Sequence, residues 1–485
     1  MPCPIGFSMV ELVQNYDVLE KCTKDILSII KPTEADQNKR LHAIQEIVDS
    51  IYLVGRLGDA AVKPFGSFLS KLYAKSGDLD VSVELPNVLG FPTSKEKKQS
   101  LLGELMRALE VRGVSRDVNF IPTARVPVLQ YVSNHFGVSC DISIDNYPGG
   151  LKSKVLYWIN TLDGRFGDMV LLVKEWAKAQ NINDPKDGTL NSYSLCLLVL
   201  FHFQTCKPAI LPPMNEFLDV NISAESGPYN EKNLDEMCAE SIAKFRRRDI
   251  GQRNQSSLSH LLATFFEKFC RLGVHSSDHV ISTYMGRLQR KQGGLYWMTK
   301  SCYLFVEDPF QRLDNAARTV DVLGLHDIAT ALKNAKNIVS SDGPVDRNEF
   351  LSLLCTPEVG SKLGARATAG RYATPATTLQ EDRFRGFLER LAANPFDNQH
   401  RLRAQGSTGS RSIHSPQPQG YNSGRQAAAR RQSQQRRGEY TSDRQASGHA
   451  LNAMFDEILG RRLHNGSAPN SRSQAFSSRS PGQYW

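Results

Sequence analysis

Apolar residues recur with helical spacing along much of the chain, and they alternate with polar residues in two short stretches. Between residues 9 and 56, an i, i+3, i+4 repeat predicts two helices that are separated at Lys31-Pro32-Thr33. Helical periodicity returns at 155–180, and another helix is expected at 94–112. By contrast, residues 79–85 and the later stretch VSCDISID alternate as half-buried strands do. The pattern predicts an α/β (α+β) chain in which a small sheet lies between helical segments.

Two aspartates, Asp78 and Asp80, stand at the start of the first predicted strand. Successive strand side chains point to opposite faces, so residues two apart project together. Two adjacent carboxylates cannot both ionise cheaply without a cation between them, and the pair therefore favours a divalent-metal site. A turn is the simpler interpretation, because Gly77-Asp78 is a common way to enter a strand. A turn does not explain the second carboxylate on the same face, so we prefer the metal site.

Gly66-Ser67 lies upstream of the aspartates, separated from them by residues 68–77. Glycine lets the backbone approach a phosphate closely, while N–H groups and the serine hydroxyl donate to its oxygens. Gly-Ser followed by Asp-x-Asp resembles the signature of the DNA polymerase β-like nucleotidyltransferases, which add a nucleotide to a hydroxyl with two magnesium ions. The resemblance implies a third carboxylate on a later strand, and Asp141 in VSCDISID is the candidate. Asp145 precedes NYPGG and fits the exit turn of that strand better.

Two further segments carry polar residues that suit a triphosphate. Lys174 and Lys178 are four residues apart on one predicted helix face, where they can meet the β- and γ-phosphates, although such a pair is more often a solvated face. In GTLNSYS, Asn191 or Ser192 caps an apolar helix. Tyr193, in its first turn, is either a core aromatic or the ring on which a base stacks. His202 lies inside the apolar run, and we expect it to be a core histidine.

The order of several motifs gives a more specific resemblance. The segments GTLNSYS, KEWAKAQNI, KPAILPP, HVIS and VEDPFQRLDNAARTV resemble those of the noncanonical poly(A) polymerases and terminal uridylyltransferases, including the plant enzymes that act on small RNAs. The resemblance covers roughly residues 10–335, and the order and spacing of the motifs make chance agreement improbable. It assigns the metals to Asp78, Asp80 and Asp141, the triphosphate to Gly66, Ser67, Lys174, Lys178 and Ser192, the ribose or base to Asn160 and Thr161, and base stacking to Tyr193.

The resemblance also implies an organisation and an activity. We expect a helical arm at 1–56, a polymerase-β-like catalytic domain at 57–148 and a helical central domain at 149–355. The implied activity is template-independent addition of uridines from UTP to RNA 3′ ends, with Mg²⁺ or Mn²⁺ as the cofactor, marking small RNAs and cleaved fragments for decay. A poly(A) polymerase of the same fold is the first alternative. An inactive RNA-binding scaffold is the second, although retention of all three aspartates argues against it.

Base choice depends on Asp314, which stands where several uridylyltransferases have a histidine. An ionised carboxylate only accepts hydrogen bonds, so Asp314 can take either the N3–H of uracil or the amine of adenine. Chemistry alone leaves the two bases close. The resemblance to the plant enzymes favours UTP, with Asn160 as a donor to a uracil carbonyl.

Composition indicates a basic C-terminal tail. Residues 401–485 contain thirteen Arg, no Lys and four acidic residues, so they carry the whole net charge of +9. From 356 onward Gly, Ser, Gln, Arg and Pro dominate, which predicts a largely disordered tail with two helical islands at 382–393 and 450–462. We expect the tail to contact RNA phosphates or to dock on a partner such as an Argonaute-type protein.

Nine cysteines without a C-x-x-C pair indicate free thiols, with neither a disulfide framework nor a zinc site. No signal peptide and no apolar run of the ~20 residues that span a bilayer are visible. We therefore expect a soluble protein of the cytoplasm, and also of the nucleus, without membrane contact.

Overall fold

Helices and two small sheets make up the part of the chain that the computed structural model describes. That part comprises residues 9–86, 92–217, 231–248, 254–272, 278–291, 302–312, 314–341 and 343–366, all within one compact unit, 1–395. The strands are Ala61–Phe65 (β1), Leu79–Glu84 (β2), Ser115–Ile121 (β3), Val128–Ser133 (β4), Ser139–Ile144 (β5), His279–Ser282 (β6), Arg287–Arg290 (β7) and Val306–Glu307 (β8). The helices are Met9–Ile30 (α1), Glu34–Ile51 (α2), Gly66–Ser70 (α3), Lys95–Val111 (α4), Tyr147–Asn160 (α5), Gly164–Ala179 (α6), Ser192–Thr205 (α7), Met214–Phe217 (α8), Glu231–Arg248 (α9), Leu258–Phe269 (α10), Val322–Val339 (α11), Arg347–Leu354 (α12) and Pro357–Lys362 (α13).

The first sheet has the strand order β1-β2-β5-β4-β3. Strands β2 and β5 are parallel, whereas the other neighbouring pairs are antiparallel. Both stretches whose alternation predicted strands are thus strands, and they are neighbours at the centre of the sheet. Leu79, Val81 and Val83 are fully buried on one face of β2, which leaves Asp80 on the opposite face.

Helices α2 and α4 cover the apolar face of this sheet. The predicted helix at 94–112 is confirmed as α4, which Ser94 caps by accepting a hydrogen bond from the Lys97 N–H (3.3 Å). Helix α2 is tied to the sheet through Glu46, which accepts a hydrogen bond from Ser133 Oγ (2.8 Å). The second half of the predicted N-terminal arm therefore packs on this sheet, whereas α1 packs on the other helices.

The remaining helices share one apolar core. Helix α7 is buried on all sides, as its uninterrupted apolar sequence predicts, and it packs on α6. His202 is fully buried in α7 with its Nε2 3.4 Å from Thr264 Oγ1, which confirms it as a core histidine. Helix α1 contributes Leu19 and Ile26 to the same core and contacts α6, α10, α12 and α13.

The second sheet has the order β7-β6-β8, and β6 and β8 are parallel. Strand β8 leads directly into the segment that holds Asp308 and Asp314. Asn315 fixes that segment, since its side chain accepts from the Val306 N–H (3.0 Å) and donates to the Leu304 carbonyl (2.8 Å).

Two expectations from composition can be compared with the described residues. The eight cysteines among them are all free thiols. No helix in the described ranges is long and apolar enough to cross a membrane. The tail, including the islands at 382–393 and 450–462, lies outside the described residues.

Candidate active site

The site is built on the pairing of Asp80 with Asp141. Strands β2 and β5 run parallel in a register that places these two residues directly opposite each other. Directly opposed residues of neighbouring strands project to the same face, so the two carboxylates stand side by side. Asp78 is exposed just before β2. Its charge acts on both of the other carboxylates.

The crowding of these acids shifts their ionisation. Burial, followed by the charges of Asp141 and Asp78, raises the pKa of Asp80 to about 7. Burial also raises the pKa of Asp141, with the charge of Asp78 adding to the effect. A cation placed among the three carboxylates removes this repulsion, which makes the group a suitable divalent-metal site.

Gly66, which begins α3 directly after β1, lies against one of these acids. Gly66 has φ = +65°, and a β-carbon at this residue would lie 2.0 Å from Asp80 Oδ2. Only glycine fits here, because both the backbone conformation and the contact exclude a side chain. The Ser67 backbone N–H donates to the Asp80 carboxylate, and the Gly66 N–H donates to Ser153 Oγ (2.7 Å). Gly66-Ser67 thus borders the acids, as the sequence predicted.

Gln130 on β4 orients the third carboxylate. Its side-chain amide nitrogen lies 3.1 Å from both oxygens of Asp141, which is its cross-strand neighbour. Gln130 was not among the residues predicted from the sequence, because its role depends on the pairing of β4 with β5.

Lysines of α6 supply positive charge beside the acids. Lys174 donates to the Leu72 carbonyl (3.2 Å), and its charge acts on Asp80. Burial lowers the pKa of Lys174, and the positive charge of Lys178 adds to this effect. Lys178 is exposed one turn further along. One ammonium group therefore faces the carboxylates, and a second is free to meet a more distant phosphate.

Tyr193 marks the other end of the site. Its hydroxyl donates to Asp308 Oδ1 (3.4 Å), and the Lys152 ammonium lies 5.2 Å from the centre of its ring. Lys152 also pairs with Asp308 Oδ2 and donates to Gln311 Oε1 (3.2 Å). Burial, with the charges of Asp308 and Asp314, raises the pKa of Tyr193, which keeps the phenol neutral. The ring is therefore fixed at its polar edge beside a group of charged side chains.

Helix α5 connects the two ends, because Lys152 and Ser153 are consecutive residues on it. Ser153 contacts Gly66 at the end that holds the acids, and Lys152 contacts Tyr193 and Asp308 at the aromatic end. Neither residue was predicted from the sequence. In GGLKSKVLYW they look like ordinary polar positions of an amphipathic helix.

Comparison with known proteins finds similar sequences and structures. Residues 19–161 match the family described as "Poly(A) RNA polymerase, mitochondrial-like, central palm domain". The chain is 43% identical to Protein HESO1 of Arabidopsis thaliana over 352 residues, 71% of this chain and 68% of that protein. It is 30% identical to terminal uridylyltransferase cid1 of Schizosaccharomyces pombe over 303 residues, 58% of this chain and 70% of that protein.

The chain belongs to the family of noncanonical poly(A) polymerases and terminal uridylyltransferases. It is therefore an RNA nucleotidyltransferase, and the predicted polymerase-β-like fold is confirmed. A crystal structure of the Cid1 poly(U) polymerase with MgGTP, from work on its UTP selectivity, superimposes with a TM-score of 0.56 at 25% identity. That match covers 70% of this chain and 99% of the Cid1 chain.

The acids of this nucleotidyltransferase fit a magnesium site of the open kind. Within the residues that the structure describes, no group of three or more His, Cys, Asp or Glu side chains is arranged to hold a metal ion by itself. Mg²⁺ is usually held by one or two carboxylates together with waters and substrate phosphates, so an open acidic face suits it. Asp78, Asp80 and Asp141 are the residues that would hold the ions.

The first turn of α7 is fixed by hydrogen bonds of Asn191. Asn191 caps the helix by accepting from the Ser194 N–H (2.8 Å) and donates to the Ala316 carbonyl (2.7 Å). Ser192 is exposed, and its hydroxyl accepts a hydrogen bond from the Asn183 amide (3.4 Å). The role of Ser192 toward a phosphate stays a prediction.

Two further predicted residues of the nucleotidyltransferase lie at the end of α5. Asn160 is the last residue of α5, and its amide lies 3.5 Å from the Ser70 carbonyl. Thr161 caps the end of the same helix and is exposed, with its carbonyl accepting a hydrogen bond from Arg246 (3.0 Å). Their contact with ribose or base stays a prediction. Lys152, two helical turns earlier, is the residue of α5 that reaches the aromatic end.

Proposed function

We propose that this RNA nucleotidyltransferase is a terminal uridylyltransferase that adds uridines from UTP to RNA 3′ ends without a template. The observation that carries the activity is the in-register pair of Asp80 and Asp141 beside the Gly66 turn. Support for uridine comes from its relatives, which include terminal uridylyltransferase cid1.

Different residues of the chain would bind different parts of the nucleotide. The backbone at Gly66-Ser67, with Lys174 and Lys178, would hold the triphosphate, and Tyr193 would stack on the base. The 3′-oxygen of the RNA then bonds to the α-phosphorus while the bond to the β-phosphate oxygen breaks and pyrophosphate leaves. Divalent ions bound by the three aspartates would lower the pKa of the 3′-hydroxyl and stabilise the charge of the transition state.

Nucleotide competition tests the assignment. Purified protein is incubated with labelled single-stranded RNA and each NTP separately, in Mg²⁺, in Mn²⁺ and in EDTA. We expect extension with UTP that is clearly faster than with ATP, and no extension in EDTA or with the Asp80→Ala variant. Equal rates with ATP and UTP would replace the uridylyltransferase by a poly(A) polymerase, the activity in the name of the matching family. No extension with any NTP would favour the RNA-binding scaffold.

The biological setting is also part of the proposal. Uridylation of small RNAs and cleaved fragments would mark them for decay in the cytoplasm and nucleus, and free thiols suit both reducing compartments. The arginine-rich tail would contact RNA or an Argonaute-type protein. Sequencing RNA 3′ ends from cells that lack the protein tests this role, since uridine tails on small RNAs should shorten or disappear.

A further inference from the structure

Two arginines contact the carboxylate of Asp314. Arg125, from the turn between β3 and β4, places NH1 2.5 Å from Asp314 Oδ2, and Arg318 places NH1 3.6 Å from the same oxygen. Asp314 is 15% exposed, whereas the two arginines are 60% and 51% exposed. Both guanidinium groups thus contact the same oxygen, Oδ2, while Oδ1 accepts a hydrogen bond from the Asn315 N–H (3.1 Å).

This group lies next to the aromatic ring on which we place the base. The charge of Asp314 acts on the Tyr193 hydroxyl, and the Asp314 carbonyl accepts a hydrogen bond from the Asp308 N–H (3.1 Å). The guanidinium groups of Arg125 and Arg318 hold the pKa of Asp314 below its usual range, so the carboxylate is ionised at neutral pH.

The two arginines change what the site can recognise. An isolated carboxylate offers only acceptors, and it serves the N3–H of uracil and the amine of adenine equally well. A carboxylate that is paired with two guanidinium groups has N–H donors beside its acceptor lone pairs, so the group can present a donor, an acceptor and a donor to a base. Uracil presents the complementary order of carbonyl, N3–H and carbonyl, whereas adenine presents an amine, the N1 acceptor and a C–H that accepts no hydrogen bond.

We propose that Arg125 is a specificity-determining residue that selects uracil together with Asp314 and Arg318. The inference rests on the proposed uridylyltransferase function and adds a base-reading residue from the catalytic sheet. When adenine is bound in place of uracil, one guanidinium group has no acceptor on the base. Polar groups that are left unpaired in this way discriminate strongly between substrates.

The test compares Arg125→Ala with Arg116→Ala. Arg116 is a control of similar exposure (51%) on β3 of the same sheet, where it contacts only its neighbour Asp117 (3.4 Å) in the ion pairs of the described residues. We expect Arg125→Ala to lower the ratio of kcat/KM for UTP to that for ATP by about 10-fold, while the control keeps the ratio of the native protein.

Nucleotide analogues make the test specific for a base contact. One triphosphate carries sulfur, a weak acceptor, in place of O4 of uracil, and a second carries sulfur in place of O2, so both keep the N3–H donor. At least one of them should lose about 10-fold in kcat/KM with the native protein and show no further loss with Arg125→Ala, because the contact is already absent.

The outcomes separate this inference from the proposed function. A native protein without UTP preference would overturn the uridylyltransferase assignment before any variant is made. With that preference present, additive losses for both analogues would overturn the role of Arg125 alone. The same holds if Arg125→Ala weakens UTP and ATP equally, or raises only the KM for RNA.

Discussion

The α-carbon of Gly66 lies so close to the carboxylate of Asp80 that a β-carbon at residue 66 would stand 2.0 Å from Asp80 Oδ2. The backbone at Gly66 and the carboxylate of Asp80 are therefore in close contact. A substitution at Gly66 must displace either the backbone at Gly66-Ser67 or the carboxylate, although residue 66 itself has no side chain.

Gly66→Ala should reduce activity at least ~100-fold, because a displacement of about 1 Å at a reacting centre has this effect. Its backbone, at φ = +65°, also disfavours alanine. Gly103→Ala is the matched control, since Gly103 lies in α4 with no atom within 4 Å of the added β-carbon. The control should keep full activity and gain ~0.5–1 kcal/mol in the free energy of unfolding. Primer extension and thermal unfolding measure both, and an active Gly66→Ala protein would contradict the fit.

Asp80 and Asp145 should respond in opposite ways to replacement by alanine. Without metal, Asp80→Ala removes repulsion among the acids, so the melting temperature in EDTA should stay or rise while activity disappears. Asp145 follows β5 and accepts from the Leu85 N–H (2.8 Å) and Thr93 Oγ1 (2.6 Å). Asp145→Ala should therefore lower the free energy of unfolding by about 2–3 kcal/mol. An Asp80→Ala protein that retains more than a tenth of the native rate would refute its role.

Lys152 should contribute both to stability and to nucleotide binding, and the two contributions can be separated. Lys152→Met leaves Asp308, 4% exposed, without its partner, which should cost about 3 kcal/mol of folding free energy. The double variant Lys152→Met, Asp308→Asn should recover most of that loss but keep a raised KM for UTP. Recovery of both quantities would limit the pair to a structural role.

Protonation of His202 should cause part of the loss of folding stability at low pH. Burial, with the charge of Lys268 adding to it, lowers the pKa of His202 to about 3. The unfolded chain, with a pKa of ~6.5, then binds more protons between these values, so stability falls as pH decreases through that window. His202→Leu should lose less melting temperature between pH 7 and pH 5 than the native protein. The exposed His42 replaced by Gln should behave like the native protein, and identical slopes for all three would exclude His202.

Deletion of residues 401–485 should weaken RNA binding and reduce its dependence on salt, because it removes thirteen arginines that can displace counterions from RNA. Addition of the first nucleotide should change little, since the described acids and lysines stay in place. Binding constants at several salt concentrations test this. An unchanged salt dependence would assign the tail to partners or localisation.

The sequence was sufficient for the residues that lie close together in the chain. Gly66, Asp78 and Asp80 belong to one short stretch, and alternation correctly placed Asp80 and Asp141 on strands. Alternation could not show that these strands are parallel neighbours in register, because pairing across about sixty residues leaves no local pattern.

Residues that depend on distant partners were missed for the same reason. Lys152 meets Asp308 across 156 positions, and Arg125 meets Asp314 across 189. Each lies in a segment where a lone basic residue normally faces solvent. The packing of α5 brings Lys152 to the aromatic end, whereas the roles of Asn160 and Thr161 toward the nucleotide stay predictions.

The contact of α1 with the last described helices has a consequence for biosynthesis. Asn15 donates to the Gly343 carbonyl (2.9 Å), and Asp25 pairs with Arg347 (3.0 Å). The helical part therefore cannot close until residues beyond 347 have left the ribosome, about 15–70 s after α1 at ~5–20 residues per second. The catalytic sheet, contiguous from 61 to 144, can form long before that. During translation, the apolar face of α1 therefore stays without the later helices on which it packs, while the sheet can already be folded.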